Sequence, residues 1–221
     1  LKNREANPQV AYNDSVSAIL YGNHPRLQSI KTSNIDRVSY DRIWQIYNER
    51  FSDASGFKMV LVGNIDMEKL RPLLCQYVAT LPSKGKRDTV KDTYPAVRNA
   101  NETHTFKKKM NTPSTLVSVF YTFDEPYTAK ADLALDVFKR VLTIAYTDSI
   151  REEKGGTYGV SVQSELDRNS KPTTLIKIGF RTDPAKYEML MPIVYRQIEN
   201  IANNGPLAES MAKVKTYLLK A

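Results

Sequence analysis

A chain of 221 residues is long enough for one large or two small domains. Hydrophobic residues make up 41% of it and Tyr occurs thirteen times, which excludes a disordered chain and demands a packed core. The formal net charge is +8, yet outside Lys84-Gly85-Lys86-Arg87 and Lys107-Lys108-Lys109 the cations are scattered. No nucleic-acid motif accompanies either cluster, so nucleic acid is set aside as a partner. No apolar run reaches the roughly 18 residues of a membrane span. Cys75 has no second cysteine to pair with, and its place on an apolar helical stripe makes it an expected small core residue.

In chain order, residues 1–38 mix Asn-Pro, Gly-Asn and His-Pro turn signals. Ser39 is placed to cap a helix over 39–51, with Ile43, Trp44, Ile46, Tyr47 and Phe51 along one side. Residues 57–63 read as a short apolar strand. Asp66 caps a helix from 67 to about 80, with Leu70, Leu73, Leu74 and Tyr77 facing inward. Pro72 falls in its second turn and predicts a mild kink. Residues 83–101 are polar and turn-rich, the expected loop. Two strands are predicted over 102–110 and 114–123, separated by Asn111-Thr112-Pro113.

A long helix over 128–151 follows, carrying Leu133, Val137, Val141, Leu142 and Tyr146. Strands 157–166 and 173–181 pair around a polar tip, Asp167-Arg168-Asn169-Ser170. Asp183-Pro184 opens a helix to about 203, and Gly205-Pro206 restarts the chain in a last one. Consecutive strands after a polar loop predict an α+β chain: a two-layer sandwich of mixed or antiparallel sheet with helices on one face. The expected division is a lead-in over 1–56 and a single α+β domain over 57–221. Leu1 is not an initiator and Lys220-Ala221 ends inside a helical pattern, so the chain reads as truncated at both ends.

The densest segment is Arg151-Glu152-Glu153-Lys154-Gly155-Gly156-Thr157-Tyr158-Gly159-Val160. A helix ends here, Gly155 and Gly156 tolerate the positive φ of a helix C-terminus, and Thr157 onward favours a strand. Arg151 and Tyr158 flank that turn. A guanidinium and a phenol so placed can converge on one acceptor, a peptide carbonyl or a carboxylate. Composition alone favours the simpler alternative, a helix cap at Gly-Gly with a solvated last-turn Arg and a half-buried strand Tyr. Glu152 and Glu153, adjacent on a helix, point about 100° apart and form no convergent acid/base pair. No Gly-x-Ser-x-Gly elbow or phosphate-cradling loop is present. Tyr121, Phe123 and Tyr127 cluster near a strand end, as core or as the wall of a groove.

This decapeptide resembles a signature of the pitrilysin/insulinase family of zinc peptidases, the inverzincins. Further segments resemble the same family in the expected order: Leu20-Tyr21-Gly22-Asn23-His24-Pro25-Arg26, Phe57 through Asp66, Tyr77 through Pro82, and Asn204-Gly205-Pro206 with Lys213-Val214-Lys215. The match in type and spacing implies that Arg151 and Tyr158 bind substrate from the non-catalytic, C-terminal half of a large bacterial member, across a closed chamber from a zinc. It also implies the fold shared by these metallopeptidases and the processing peptidases.

The departure concerns the metal. The family binds zinc through His-x-x-Glu-His on a helix and a distal Glu. This chain has only His24 and His104, and neither begins that motif. The resemblance therefore implies no catalytic residue, cofactor or metal ligand in this chain, and zinc in the catalytic half of the same polypeptide. The expected partners are that half and a peptide or protein substrate, and the bacterial relatives suggest a periplasmic or cell-envelope location. The alternative is a binding or assembly module of the same fold with no role in proteolysis.

Overall fold

The computed structural model describes residues 1–220 except 87, 90, 92, 94, 153–156 and 168–172. Contacts divide the chain into two compact units, Leu1–Ser29 with Tyr94–Ala221, and Ile30–Thr93. This division cuts across both expected segments, 1–56 and 57–221.

The larger unit begins with helices α1 (Lys2–Ala6) and α2 (Pro8–Leu20). The Asn7-Pro8 pair is a helix start here rather than a turn. The Asn7 side chain accepts a hydrogen bond from the Gln9 amide at 2.8 Å, and Pro8 occupies the first helical turn, where no amide is needed.

The chain returns to this unit after residue 93. The Arg98 amide donates to the Leu20 carbonyl at 2.7 Å. The first expected strand, 102–110, does not form. Three consecutive lysines cannot share one polar face with an apolar one opposite, and the stretch stays largely exposed. Its polar groups pair locally instead, with His104 Nε2 at 2.7 Å and Arg98 at 2.8 Å from Glu102.

The second expected strand does form: β1 (Thr115–Asp124). Helix α5 (Ala129–Tyr146) follows two short helices of the smaller unit, α3 (Tyr40–Phe51) and α4 (Met67–Tyr77). The Thr128 hydroxyl caps α5, accepting from the Ala131 amide at 3.0 Å. A wider π-type turn, Thr147–Glu152, prolongs it. Strands β2 (Thr157–Leu166) and β3 (Thr173–Thr182) pair antiparallel, as their alternation predicts. The expected polar tip lies mostly outside the described residues. The Asp183 side chain caps a short 3₁₀ turn at Pro184 that leads into α6 (Tyr187–Asn204). Gly205, at φ +75°, ends α6 as only glycine does without strain, and α7 (Ala208–Lys220) completes the chain.

The sheet has the order β1-β3-β2, with β3 in the middle and antiparallel to both neighbours. Register puts Val117, Val119 and Tyr121 of β1 beside Phe180, Ile178 and Ile176 of β3. Val160 and Val162 of β2 lie beside Phe180 and Ile178 on the other side. This face packs against Leu142 and Tyr146 of α5 and Leu190, Ile193 and Val194 of α6, forming the core. The chain is therefore α+β, an antiparallel sheet with α5 and α6 on one face. On the opposite face of β1, the Tyr12 phenol of α2 hydrogen-bonds Ser118, and burial pushes that phenol's pKa up.

In the smaller unit the caps behave as expected. The Ser39 hydroxyl accepts from the Arg42 amide at 3.3 Å, and the Asp66 carboxylate from the Glu68 and Lys69 amides at 3.0 and 3.3 Å. The expected strand over 57–63 does not form in this chain; among the described residues no strand pairs with it. Cys75 is exposed, not a core residue.

Candidate functional site

The segment singled out by sequence joins the π-type turn to β2. Arg151 lies in that turn and Tyr158 is the second residue of β2. Residues 153–156, including Gly155 and Gly156, and the side chains of Arg151 and Tyr158 lie outside the described residues. What the structure describes is the frame that carries them.

That frame is firmly held on the helical side. Tyr146, the last residue of α5, is fully buried, and its hydroxyl donates to the Val194 carbonyl of α6 at 2.9 Å. Burial pushes this phenol's pKa far up, so it stays a protonated donor. Ser149 is buried and donates to the Ala145 carbonyl at 2.7 Å, and Thr147 to the Thr143 carbonyl at 2.8 Å. Such back-bonding to the preceding turn loosens regular helical geometry, and it occurs where α5 passes into the wider turn.

On the strand side, β2 is irregular at the residue of interest. Thr157 pairs with Thr182, whereas Val160 pairs with Phe180. Two residues, Tyr158 and Gly159, thus stand on β2 where β3 offers only Arg181 between the paired positions. This is a β-bulge, which turns a side chain away from the direction that strand alternation would impose. Among the described residues, and leaving out its chain neighbours, a Cβ at Gly159 would meet nothing within 4 Å.

Sequence reasoning missed both devices. Tyr146 was legible only as one more apolar position of its helix, and its hydroxyl partner lies 48 residues away. The signal for the bulge was Gly159 inside a strand pattern. Of the aromatic cluster, Tyr121 packs against the core, its phenol pKa raised by burial and then by nearby Tyr195 and Glu199. Phe123 is exposed and Tyr127 half-buried. Of the two histidines, His24 Nδ1 accepts from the Arg26 amide at 3.3 Å, and His104 Nε2 meets Glu102 at 2.7 Å. Among the described residues no group of three or more His, Cys, Asp or Glu side chains could hold a metal ion.

Residues 37–218 match the peptidase M16 inactive domain. The chain belongs to this family. It is the family of zinc peptidases that the ordered motifs resemble, and the match is to its inactive part. The chain is 24% identical over 231 residues to the zinc protease PQQL-like of Arabidopsis thaliana, an alignment covering 96% of this chain and 23% of that protein. Its fold is similar to the crystal structure of the periplasmic protease PqqL from Escherichia coli. The TM-score is 0.81 at 18% identity, over 99% of this chain and 24% of that one. It is also similar to a peptidase M16 inactive domain from Pseudomonas fluorescens, with a TM-score of 0.72 at 18% identity, over 100% of this chain and 53% of that one. The chain thus spans about a quarter of the length of the proteases it resembles.

Proposed function

We propose that this chain is part of the non-catalytic domain of a zinc metalloendopeptidase and binds peptide substrate opposite the catalytic half, closing the chamber in which cleavage occurs. The match to the inactive domain across residues 37–218 carries this reading. Zinc held by the catalytic half of the same polypeptide would activate the attacking water. Arg151 and Tyr158 would do the rest of the work assigned here. The Tyr158 phenol donates a hydrogen bond to the substrate carbonyl oxygen as it gains negative charge. The Arg151 guanidinium donates to a neighbouring backbone carbonyl and sets the peptide's register. The buried, hydrogen-bonded end of α5 and the bulge in β2 support these roles, since a donor stabilises developing charge best when it need not reorganise. The periplasm is the proposed location, by analogy with the Escherichia coli protease.

The test is Tyr158→Phe in the intact parent protease, which removes one hydroxyl and leaves the ring. Loss of one such donor costs roughly 100-fold to 1000-fold in kcat. An undiminished kcat in a correctly folded variant would remove the phenol from the mechanism.

A further inference from the structure

The sheet has a second face, turned away from α5 and α6. Alternation assigns Lys177, Gly179 and Arg181 of β3 to it, because Ile176, Ile178 and Phe180 point into the core. On the β1 side of this face, Tyr12 of α2 reaches Ser118. On the β2 side, Ser161, Gln163 and Glu165 are all exposed.

Charge on this face is sorted by sign. Asp124 of β1 and Glu165 of β2 stand at the end where β2 finishes and β3 begins. Lys177 and Arg181 stand towards the other end, where β2 carries the bulge at Tyr158 and Gly159. Lys177 is half-buried, and its ammonium lies 5.9 Å from the centre of the Phe120 ring. Its stem runs beside Gly179, where a Cβ would stand 3.8 Å from Lys177 Cε and 3.2 Å from the Ser161 hydroxyl. The absent side chain leaves room for both groups. Among the described residues no carboxylate pairs with Lys177. An ammonium held by a ring and a glycine, and not by an acid, keeps its attraction for an anionic ligand.

We propose that Lys177, with Arg181 beyond it, binds an acidic side chain of the peptide substrate and so selects peptides carrying Asp or Glu. The proposal rests on the reading that this domain binds peptide, and it names which peptides. Charge complementarity and place identify the occupant. The cations lie beside the segment that carries Tyr158, while Asp124 and Glu165 repel the same acidic side chain from the far end. Lys177 and Arg181 are roughly 13 Å apart along the strand, the span of about four residues of extended peptide. The bound acid thus falls within about four residues of the carbonyl assigned to Tyr158.

Fluorescence anisotropy on the intact parent protease tests this through binding rather than turnover. The probes are short labelled peptides, identical except that one position, scanned along the peptide, carries Glu, Gln or Lys. The expected result is that, at one position or more, the wild type binds the Glu peptide roughly fivefold more tightly than its Gln counterpart, the upper range for an exposed ion pair. Lys177→Gln abolishes that preference. Lys177→Glu reverses it, gaining affinity for the Lys peptide, a gain that a misfolded variant cannot show. Equal wild-type affinities for Glu and Gln at every position would overturn the proposal, as would a preference that survives Lys177→Gln. Either result leaves peptide binding and the kcat test of Tyr158→Phe standing. Absence of all peptide binding would overturn both readings together.

Discussion

The hydroxyl of Tyr146 reaches the carbonyl of Val194 at 2.9 Å and thereby ties the end of α5 to the middle of α6. Both residues are fully buried. The bond is made one residue before the turn that carries Arg151, so it anchors the strongest candidate for substrate contact to the core.

Tyr146→Phe removes that bond and keeps the ring. A single intramolecular hydrogen bond contributes about 0.5–1.5 kcal/mol, and chemical denaturation of the variant is expected to read a loss in that range. Under the proposed function, if the bond also positions Arg151, peptide KM of the full-length protein rises more than the stability loss accounts for.

Arg151→Lys keeps the charge and loses the planar, two-pronged donor. Under the proposed function, kcat/KM for peptides falls in the parent protease while its thermal midpoint stays within a degree or two of wild type. An unchanged kcat/KM would leave Arg151 as a solvated cation of the helix end.

Core and surface truncations should separate the two units. Leu142 is fully buried between sheet and helices, and Leu142→Ala is expected to cost about 2–5 kcal/mol. Trp44 is more than half exposed, and in this chain alone Trp44→Ala should change stability by no more than about 0.5 kcal/mol. Denaturation curves of both variants provide the comparison.

Acid should weaken α5 through Asp136. Its carboxylate accepts from Lys139 at 2.6 Å and from Arg140 at 2.8 Å, and these hydrogen bonds hold its pKa below the ordinary value. A carboxyl depressed in the folded state contributes stability above its unfolded pKa, about 3.9, and that contribution is lost as pH falls through the folded value. Arg140 also stacks 4.2 Å from the centre of the Tyr217 ring, so the pair joins α5 to α7. Asp136→Asn is expected to flatten the fall in thermal midpoint below about pH 4. An acid limb identical to wild type would show that other carboxylates govern it.

Local signals carried a large share of the fold. Ser39, Asp66, Thr128 and Asp183 each cap the helix or turn that follows them, because a side-chain oxygen satisfying the first free amides is a matter of a few residues. Alternation over 157–166 and 173–181 was enough to pair β2 with β3. Local signals also misled. Asn7-Pro8 looked like a turn and starts α2, while the alternation of 102–110 was defeated by its lysines.

By itself, then, the sequence determined the helix starts after Ser39, Asp66, Thr128 and Asp183, the hairpin, the absence of a His-x-x-Glu-His zinc motif and the ordered motifs that resemble the peptidase family. These depend on residues close in the chain or on residue identity alone. Only the tertiary structure decided that β3 lies between β1 and β2, that β2 bulges at Tyr158 and Gly159, and that Tyr146 is locked to Val194. It also decided that residues 57–62 form no strand in this chain. The reason is common to all four. A strand, a bulge and a buried hydroxyl are each defined by a hydrogen-bonding partner distant in sequence, and no local pattern states whether that partner is present or where it lies.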